Sequence, residues 1–267
     1  ITYCNKTIEA RYSLHPEYAE LFMADNHQCQ GTIFSIAFDG TTSQTWGGTT
    51  FLVCAAIGGS MSPSEFGVEG GWGGNRTTSA LVEKFGDISS GSLVTTDTVR
   101  AMFHTDGQSL EIDDIGDFTH GYAISKWKNV TSAGQTGSNE TYVDTDFHMF
   151  RLADIYLMYA EAVLRGGSGG TMANAVQYIN DLRDRADTDN ISQGNLTLDF
   201  VLDERARELY WEGHRRTDLI RFGKFVSGSY LWPWKGNVQE GIEMNERYNL
   251  FPIPASDINA NPNLTQN

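Results

Sequence analysis

Hydrophobic and polar positions follow two different rules along the chain. From residue 146 onward the period is helical. In residues 150–165, "FRLADIYLMYAEAVLR", the polar positions Arg151, Asp154, Glu161 and Arg165 form one narrow stripe and nearly everything else is apolar. That pattern predicts a helix buried on most sides. "GGSGG" then interrupts the chain. In residues 171–186, Met172, Ala175, Val176, Ile179, Leu182 and Ala186 fall on one helical face. Two antiparallel helices with small alanines at their contact are predicted, followed by a third helix over 196–213 and a fourth over 214–225.

Before residue 146 the pattern is short and broken. "NKTIEARY" reads as the last turns of a helix and "HPEYAELF" as a second short one. Residues 32–38, "TIFSIAF", predict a strand, and 49–57, "TTFLVCAAI", another. Residues 78–86 and 96–103 are helical islands, and 120–130 is a strand ending in basic residues. "TSAGQTGSNET" is an exposed loop. The 28 glycines concentrate in this part, in runs such as "TWGGTT" and "EGGWGGN". The predicted fold class is therefore mainly α with loop-rich and short β segments. Tetratricopeptide-like helical hairpins are predicted beside an irregular, loop-rich lobe. The lobe spans residues 1–145; the helical scaffold and C-terminal tail span 146–267.

Charge narrows the ligand. Nineteen Lys and Arg stand against 34 Asp and Glu, a net charge of −15. Such a surface repels phosphate backbones and polyanions, which argues against nucleic acid and leaves neutral ligands open. The three cysteines, Cys4, Cys29 and Cys54, allow one disulfide and show no zinc-ligand spacing. Nor do the histidines, and no nucleophile-elbow, P-loop or dinucleotide motif is present. No stretch is apolar enough to span a membrane. There is no initiator Met and no signal peptide, and the expectation is a piece of a longer protein.

"ERARELYWEGHRRTDLIRFG", residues 204–223, carries nine charges in twenty positions. Both signs interleave, so no field of one sign results. Arginine–carboxylate forks that fix the angles between helices account for this density. The residues assigned to such pairs are Glu161, Glu204, Glu208, Arg205, Arg215 and Asp218.

The same segments carry a family resemblance. "RLADIYLMYAEAVLR", "AVQYINDLRDRA", "LDERARELYWEGHRRTDLIRFGKF" and "LFPIPASDINANPNLTQN" resemble the C-terminal half of the SusD/RagB family. "ARYSLHPEYAELFMADN", "IFSIAFDG" and "WGGNRTTSALVEKFG…TTDTVRAMF" are similar to its preceding segments in the same order. The family's N-terminal half, with its lipoprotein signal, lipidated Cys and first helical repeats, is not represented; Cys4 has no hydrophobic segment before it and is not that Cys. The resemblance implies a surface-exposed lipoprotein of the cell outer membrane, without enzymatic activity. It would bind glycans as a lid on a TonB-dependent, SusC-like transporter, and a lipid anchor on the missing part would be its only membrane contact. It also implies a tetratricopeptide-like superhelix on which a loop-rich lobe packs and supplies much of the sugar site.

Neutral sugars are held by aromatic platforms under their C–H faces and by polar side chains on their hydroxyls. "GGWGGNR" places Trp72 between glycine pairs, with Asn75 and Arg76 just beyond. Trp46 in "SQTWGGTT" is a second platform. The expected site is thus Trp72, Asn75, Arg76 and Trp46, with Trp127 and Trp211 structural and Trp232 and Trp234 assigned to packing or partner contact. Glu111, Asp113, Asp114 and Asp117 could hold calcium, but the EF-hand order is missing and a solvated acidic loop is preferred; no cofactor is expected. Two other functions compete. One is a glycoside hydrolase using Glu65 and Glu69, which would require about 5–10 Å between the carboxyl groups across a cleft. The other is a helical-repeat scaffold that binds only protein.

Overall fold

The structure is a computed structural model that describes residues 1–267. It contains two compact units, Ile1–Gly213 and His214–Asn267. In the first, chain order runs α1 (Thr2–Glu9), β1 (Thr32–Ile36), α2 (Gly48–Cys54), α3 (Ser79–Val82), β2 (Asp87–Ser89) and β3 (Ser92–Val94). It continues through β4 (Phe103–His104), β5 (Ala123–Ile124), β6 (Phe147–Arg151), α4 (Leu152–Leu164), α5 (Met172–Arg185) and α6 (Leu198–Leu209). The second unit holds α7 (Arg215–Arg221), α8 (Ala255–Ala260) and short 3-10 turns.

Helices α4, α5 and α6 share one core, built from Ala153, Leu157, Ala160, Ala175, Ile179, Leu182, Val201 and Leu209. The alanines at the contact let the backbones approach, and Tyr156 stacks on Tyr178 with ring centroids 4.5 Å apart. Threonines cap two of these helices: Thr171 Oγ1 accepts from the Asn174 amide and Thr197 Oγ1 from the Phe200 amide, each at 3.1 Å. Helix α1 lays Ile8 and Cys4 against the same core.

A second core fills the lobe, with Tyr18, Leu21, Phe22, Val53, Ile57 and Trp127 at its centre. Trp127 meets Phe22 edge-on and stacks on Phe147, so it is structural as expected. Strands β1 and β6 pair antiparallel, with Thr32 opposite Arg151 and Ile36 opposite Phe147. The β2–β3 hairpin turns through Ser90 and Gly91, both at positive φ, the geometry a two-residue hairpin loop requires.

Several local expectations change. Residues 49–54 lie in helix α2 and 55–57 in the turn that follows, not in a strand: Thr49, Thr50, Val53 and Cys54 are buried while Phe51 points outward. β-branched residues suggest a strand, but tertiary burial selects the helix. Residues 96–102 are a turn rather than a helix, bent so that Arg100 enters the interior, and Phe103 opens β4. The strand expected over 120–130 contracts to β5, because Lys126 and Asn129 are buried and bonded into the interior. The helix expected over 78–86 shortens to α3. The buried helix begins at Leu152, two residues late, since Phe147–Arg151 pairs with β1. All three cysteines are free thiols, and burial pushes Cys29 up to about 12 and Cys54 up to about 11.

The charged block of α6 lies inside the molecule. Glu204 accepts from Arg100 at 2.8 Å, Arg183 at 3.0 Å and Arg207 at 2.6 Å. Glu208 accepts from Arg151 at 2.7 Å, Arg185 at 2.5 Å and Arg100 at 3.2 Å. Glu212 closes the row with Arg151 at 2.6 Å and Lys126 at 2.7 Å. Arg205 bonds Asp154 on α4 at 2.7 Å, and Glu161 pairs with Arg165 one turn along its own helix. Burial alone would raise the three glutamates, but the surrounding guanidiniums overturn it; Glu204 and Glu212 fall to about 2 and Glu208 lower still. Arg100 and Arg151 come from the lobe and from β6, so the network joins lobe to helices. In the second unit Arg215 donates to the Tyr230 hydroxyl, and Asp218 bonds Arg221 at 2.7 Å.

Candidate functional site

The exposed face of the lobe carries four aromatic rings in contact. Trp46 lies on the loop between β1 and α2, and Phe51 on the outward face of α2. Trp72 lies on the loop that returns past the end of α2, and Tyr142 on the loop before β6. Trp46 is 4.9 Å from Tyr142 and 6.1 Å from Trp72, and Phe51 is 6.0 Å from Trp72, ring centroid to centroid. Despite these contacts Trp46 stays 59% exposed and Trp72 44%. A ring that merely filled the core would not remain open in this way.

The loop geometry has a specific cause. The last carbonyls of a helix have no partner within it. Here the Trp72 loop supplies partners for those at the end of α2: the Trp72 amide donates to Cys54 O at 2.8 Å and Gly73 to Ile57 O at 2.8 Å. Gly74 and Asn75 both donate to Ala55 O, at 3.0 and 2.7 Å. This close approach explains the glycines better than ligand access does. A Cβ on Gly71 would stand 2.4 Å from Ile57 O, and Gly73 has φ +57°. On the other side, the Gly40 amide donates to Asp144 Oδ1 at 2.7 Å, and Asn139 Oδ1 accepts from the Tyr142 amide at 3.0 Å. The loops bearing Trp46 and Tyr142 are thereby tied together.

Around the rings are side-chain polar groups with no hydrogen bond inside the chain: the Trp46 and Trp72 indole N–H, the Tyr142 hydroxyl and the Asn75 carboxamide. Arg76 differs from its expected role. Its Nε donates to His120 O at 2.8 Å, Nη1 to Gly74 O at 2.9 Å, and Nη2 to Ile115 O at 3.1 Å and Asp117 O at 2.8 Å. Four of its five N–H groups are thus taken by carbonyls, and it holds backbone rather than facing a ligand. Phe51 and Tyr142 are the ring members that sequence reasoning misses.

Beside the rings, the segments before Trp72 and before Tyr142 enclose a groove of about 410 Å³ lined by Ser62, Ser64, Glu69, Thr136 and Glu140. Glu69 accepts from the Thr141 hydroxyl at 2.7 Å and, like Glu65, is exposed. In the acidic loop, Asp114 Oδ1 accepts from the Gly116 amide and Asp117 Oδ1 from Thr119, whose amide and hydroxyl hold Asp117 below the usual carboxylate range. These oxygens close local turns, and no three acidic, His or Cys side chains converge to hold a metal ion. Trp232 tilts against Phe225 with Lys235 above its face, and Trp211 packs at the edge of the lobe core. No helix is long and apolar enough to cross a membrane.

The model of the SusD family matches residues 108–267. The chain is 36% identical over 307 aligned positions to the starch-binding protein SusD of Bacteroides thetaiotaomicron, covering 99% of this chain and 54% of that one. It is 28% identical over 163 positions to a SusD-like protein of Bacteroides ovatus, covering 56% of this chain and 30% of that one. Surface glycan-binding protein A of Bacteroides thetaiotaomicron superposes with a TM-score of 0.72 at 23% identity, covering 100% of this chain and 58% of that one. The structure of that protein in complex with laminarihexaose gives 0.68 at 23% identity, again covering 100% and 58%. The fold is therefore the helical, tetratricopeptide-like one of these proteins. The chain spans 54% of the first of these curated relatives and 30% of the second.

Proposed function

The chain belongs to the SusD family, and from that membership and the open cluster of rings we propose that it binds a neutral glycan on Trp46, Trp72, Phe51 and Tyr142. The observation that carries this reading is the cluster itself: four rings in contact, two of them indoles about half open, with unused donors around them. Rings stack under the C–H faces of sugars, while the indole N–H groups, the Asn75 amide and the Tyr142 hydroxyl meet hydroxyls. Neighbouring ring planes turn by 53° to 57°, so the platform is curved rather than flat. A curved platform suits a glycan chain that bends, and starch, named for a relative, is the first ligand to try. Glu69 and Glu140 in the adjoining groove, and the net charge of −15, disfavour uronate or sulfated chains.

The family further suggests a role as the glycan-binding subunit of an outer-membrane nutrient uptake complex. In that role the protein would sit as a lid on a TonB-dependent, SusC-like transporter, held at the cell surface by a lipid anchor and without catalysis of its own. Glu69 lines the groove and Glu65 does not, so the two carboxylates do not face each other across that cleft as a hydrolase pair would.

Calorimetric titration with maltoheptaose and with laminarihexaose tests the site. Trp72→Ala is expected to weaken binding about tenfold or more, equivalent to ~1.4 kcal/mol. The melting temperature should move little, because the ring is half open. Unchanged affinity in both Trp72→Ala and Trp46→Ala would overturn the assignment.

A further inference from the structure

We propose that Arg76 is a positioning residue for Trp72: its guanidinium clamps residues 115–120 against the Trp72 loop and so fixes the indole in place before any ligand arrives. This rests on the glycan-binding reading and adds to it a residue that acts without touching the sugar.

The Trp72 loop is held from two directions. On one side, the amides of Trp72, Gly73, Gly74 and Asn75 donate to the carbonyls of Cys54, Ala55 and Ile57. These bonds are backbone-only and give the loop a place to rest, yet glycine-rich backbone returns readily to solvent. On the other side stands Arg76. One arm of its fork reaches back to Gly74 O, inside the loop, and the rest reaches Ile115 O, Asp117 O and His120 O. The plane lies over the Phe118 ring, 5.7 Å from its centroid. Phe118 in turn wedges against glycines: a Cβ on Gly58 would be 2.8 Å from Phe118 Cδ1 and 2.9 Å from Gly73 Cα. The end of α2, the Trp72 loop and the 115–120 loop are therefore stacked in contact, and one guanidinium bonds the last two together.

The chemistry requires arginine. Four carbonyls on two segments are met by a planar fork with five fixed donors; an ammonium is a point donor and cannot span them. Holding the loop before binding removes an ordering cost that the ligand would otherwise meet.

The test compares wild type with Arg76→Met and Arg76→Lys, using two readouts that need no ligand. The first is hydrogen exchange at the amides of Trp72 to Asn75, with Ala175 to Leu182 of α5 as the control. The second is the exciton couplet in circular dichroism from Trp46 and Trp72, whose centroids lie 6.1 Å apart; Trp72→Phe defines its amplitude. Both variants are expected to speed exchange at residues 72–75, leave α5 unchanged, and lose most of the couplet. Affinity for maltoheptaose should fall about tenfold, with Lys failing to rescue. Exchange and couplet both unchanged in Arg76→Met would overturn the clamp. So would a loss of affinity without either change, because Arg76 would then be touching the sugar. Rescue by Arg76→Lys would also overturn it, since charge alone would suffice. If wild type binds neither maltoheptaose nor laminarihexaose, the glycan reading fails by itself, and exchange and couplet still decide the clamp.

Discussion

Lowering the pH should unfold this protein in two separable windows, and the buried titratable groups say why. His148 lies on β6 and is 1% exposed, with Nδ1 at 2.9 Å from the Ser35 hydroxyl. Burial first, and then the nearby Arg151 charge, depress it from 6.5 to about 4. The unfolded chain takes up this proton near pH 6.5 and the folded one only near 4. The unfolded state therefore binds more protons between these values, and stability falls as pH falls through them. A depression of that size amounts to about 3 kcal/mol. Glu204 and Glu212 act lower. Held at about 2 against an ordinary 4.5, each contributes stability that is complete above 4.5 and lost as pH falls toward 2, again about 3 kcal/mol apiece. The two share the network with Glu208, so their losses will not simply add. Urea unfolding at constant ionic strength, from pH 7 down to 3, measures the upper window and the upper part of the lower one. Wild type should lose stability between 6.5 and 4 and lose more below 4.5. His148→Gln should remove the upper slope and keep the lower. A wild-type stability that stays flat between pH 6.5 and 4, or a His148→Gln slope equal to wild type there, would refute this account of the buried imidazole.

Two further outcomes follow from single contacts. Glu208→Ala takes the ion-pair partner from Arg185 and one of the carboxylates from Arg100 and Arg151, which keep Glu204 and Glu212, and chemical denaturation should show a loss of about 3–5 kcal/mol; a loss under ~1 would mean that the arginines find water or other partners. Gly71→Ala forces a Cβ to within 2.4 Å of Ile57 O, so the Trp72 loop must lift from α2. Glycan affinity should fall, and stability by about 1–3 kcal/mol, whereas unchanged calorimetric titrations and melts would show that the loop adapts.

The helical part was legible because its signal is local. A polar stripe on an apolar helix, a glycine break and a second apolar face place α4 and α5 within a residue or two, and Thr171 marks its own cap. The lobe was not legible in the same way, since its elements are chosen by distant partners. Residues 96–103 have helical composition, but Arg100 reaches Glu204 and Glu208, more than a hundred positions away, and the chain turns to let it. Phe51 illustrates how one misreading hides another. Read as a strand, 49–57 gives Phe51 no distinct face; read as a helix, it stands opposite Thr49, Thr50, Val53 and Cys54, an aromatic ring on the side where a polar residue belongs. Tyr142 carries only the weak signal of an aromatic at the end of an Asn/Gly/Ser/Thr-rich loop. The glycine pairs around Trp72 single it out in the sequence, and in the structure Gly71 and Gly73 serve the approach of the loop to the carbonyls at and beyond the end of α2. The exposed indole follows from that approach: a backbone laid flat against a helix end has no room to turn so large a ring inward. Arg76 belongs to the same geometry, which is why a motif of seven residues, "GGWGGNR", holds both the proposed platform and its proposed fastening.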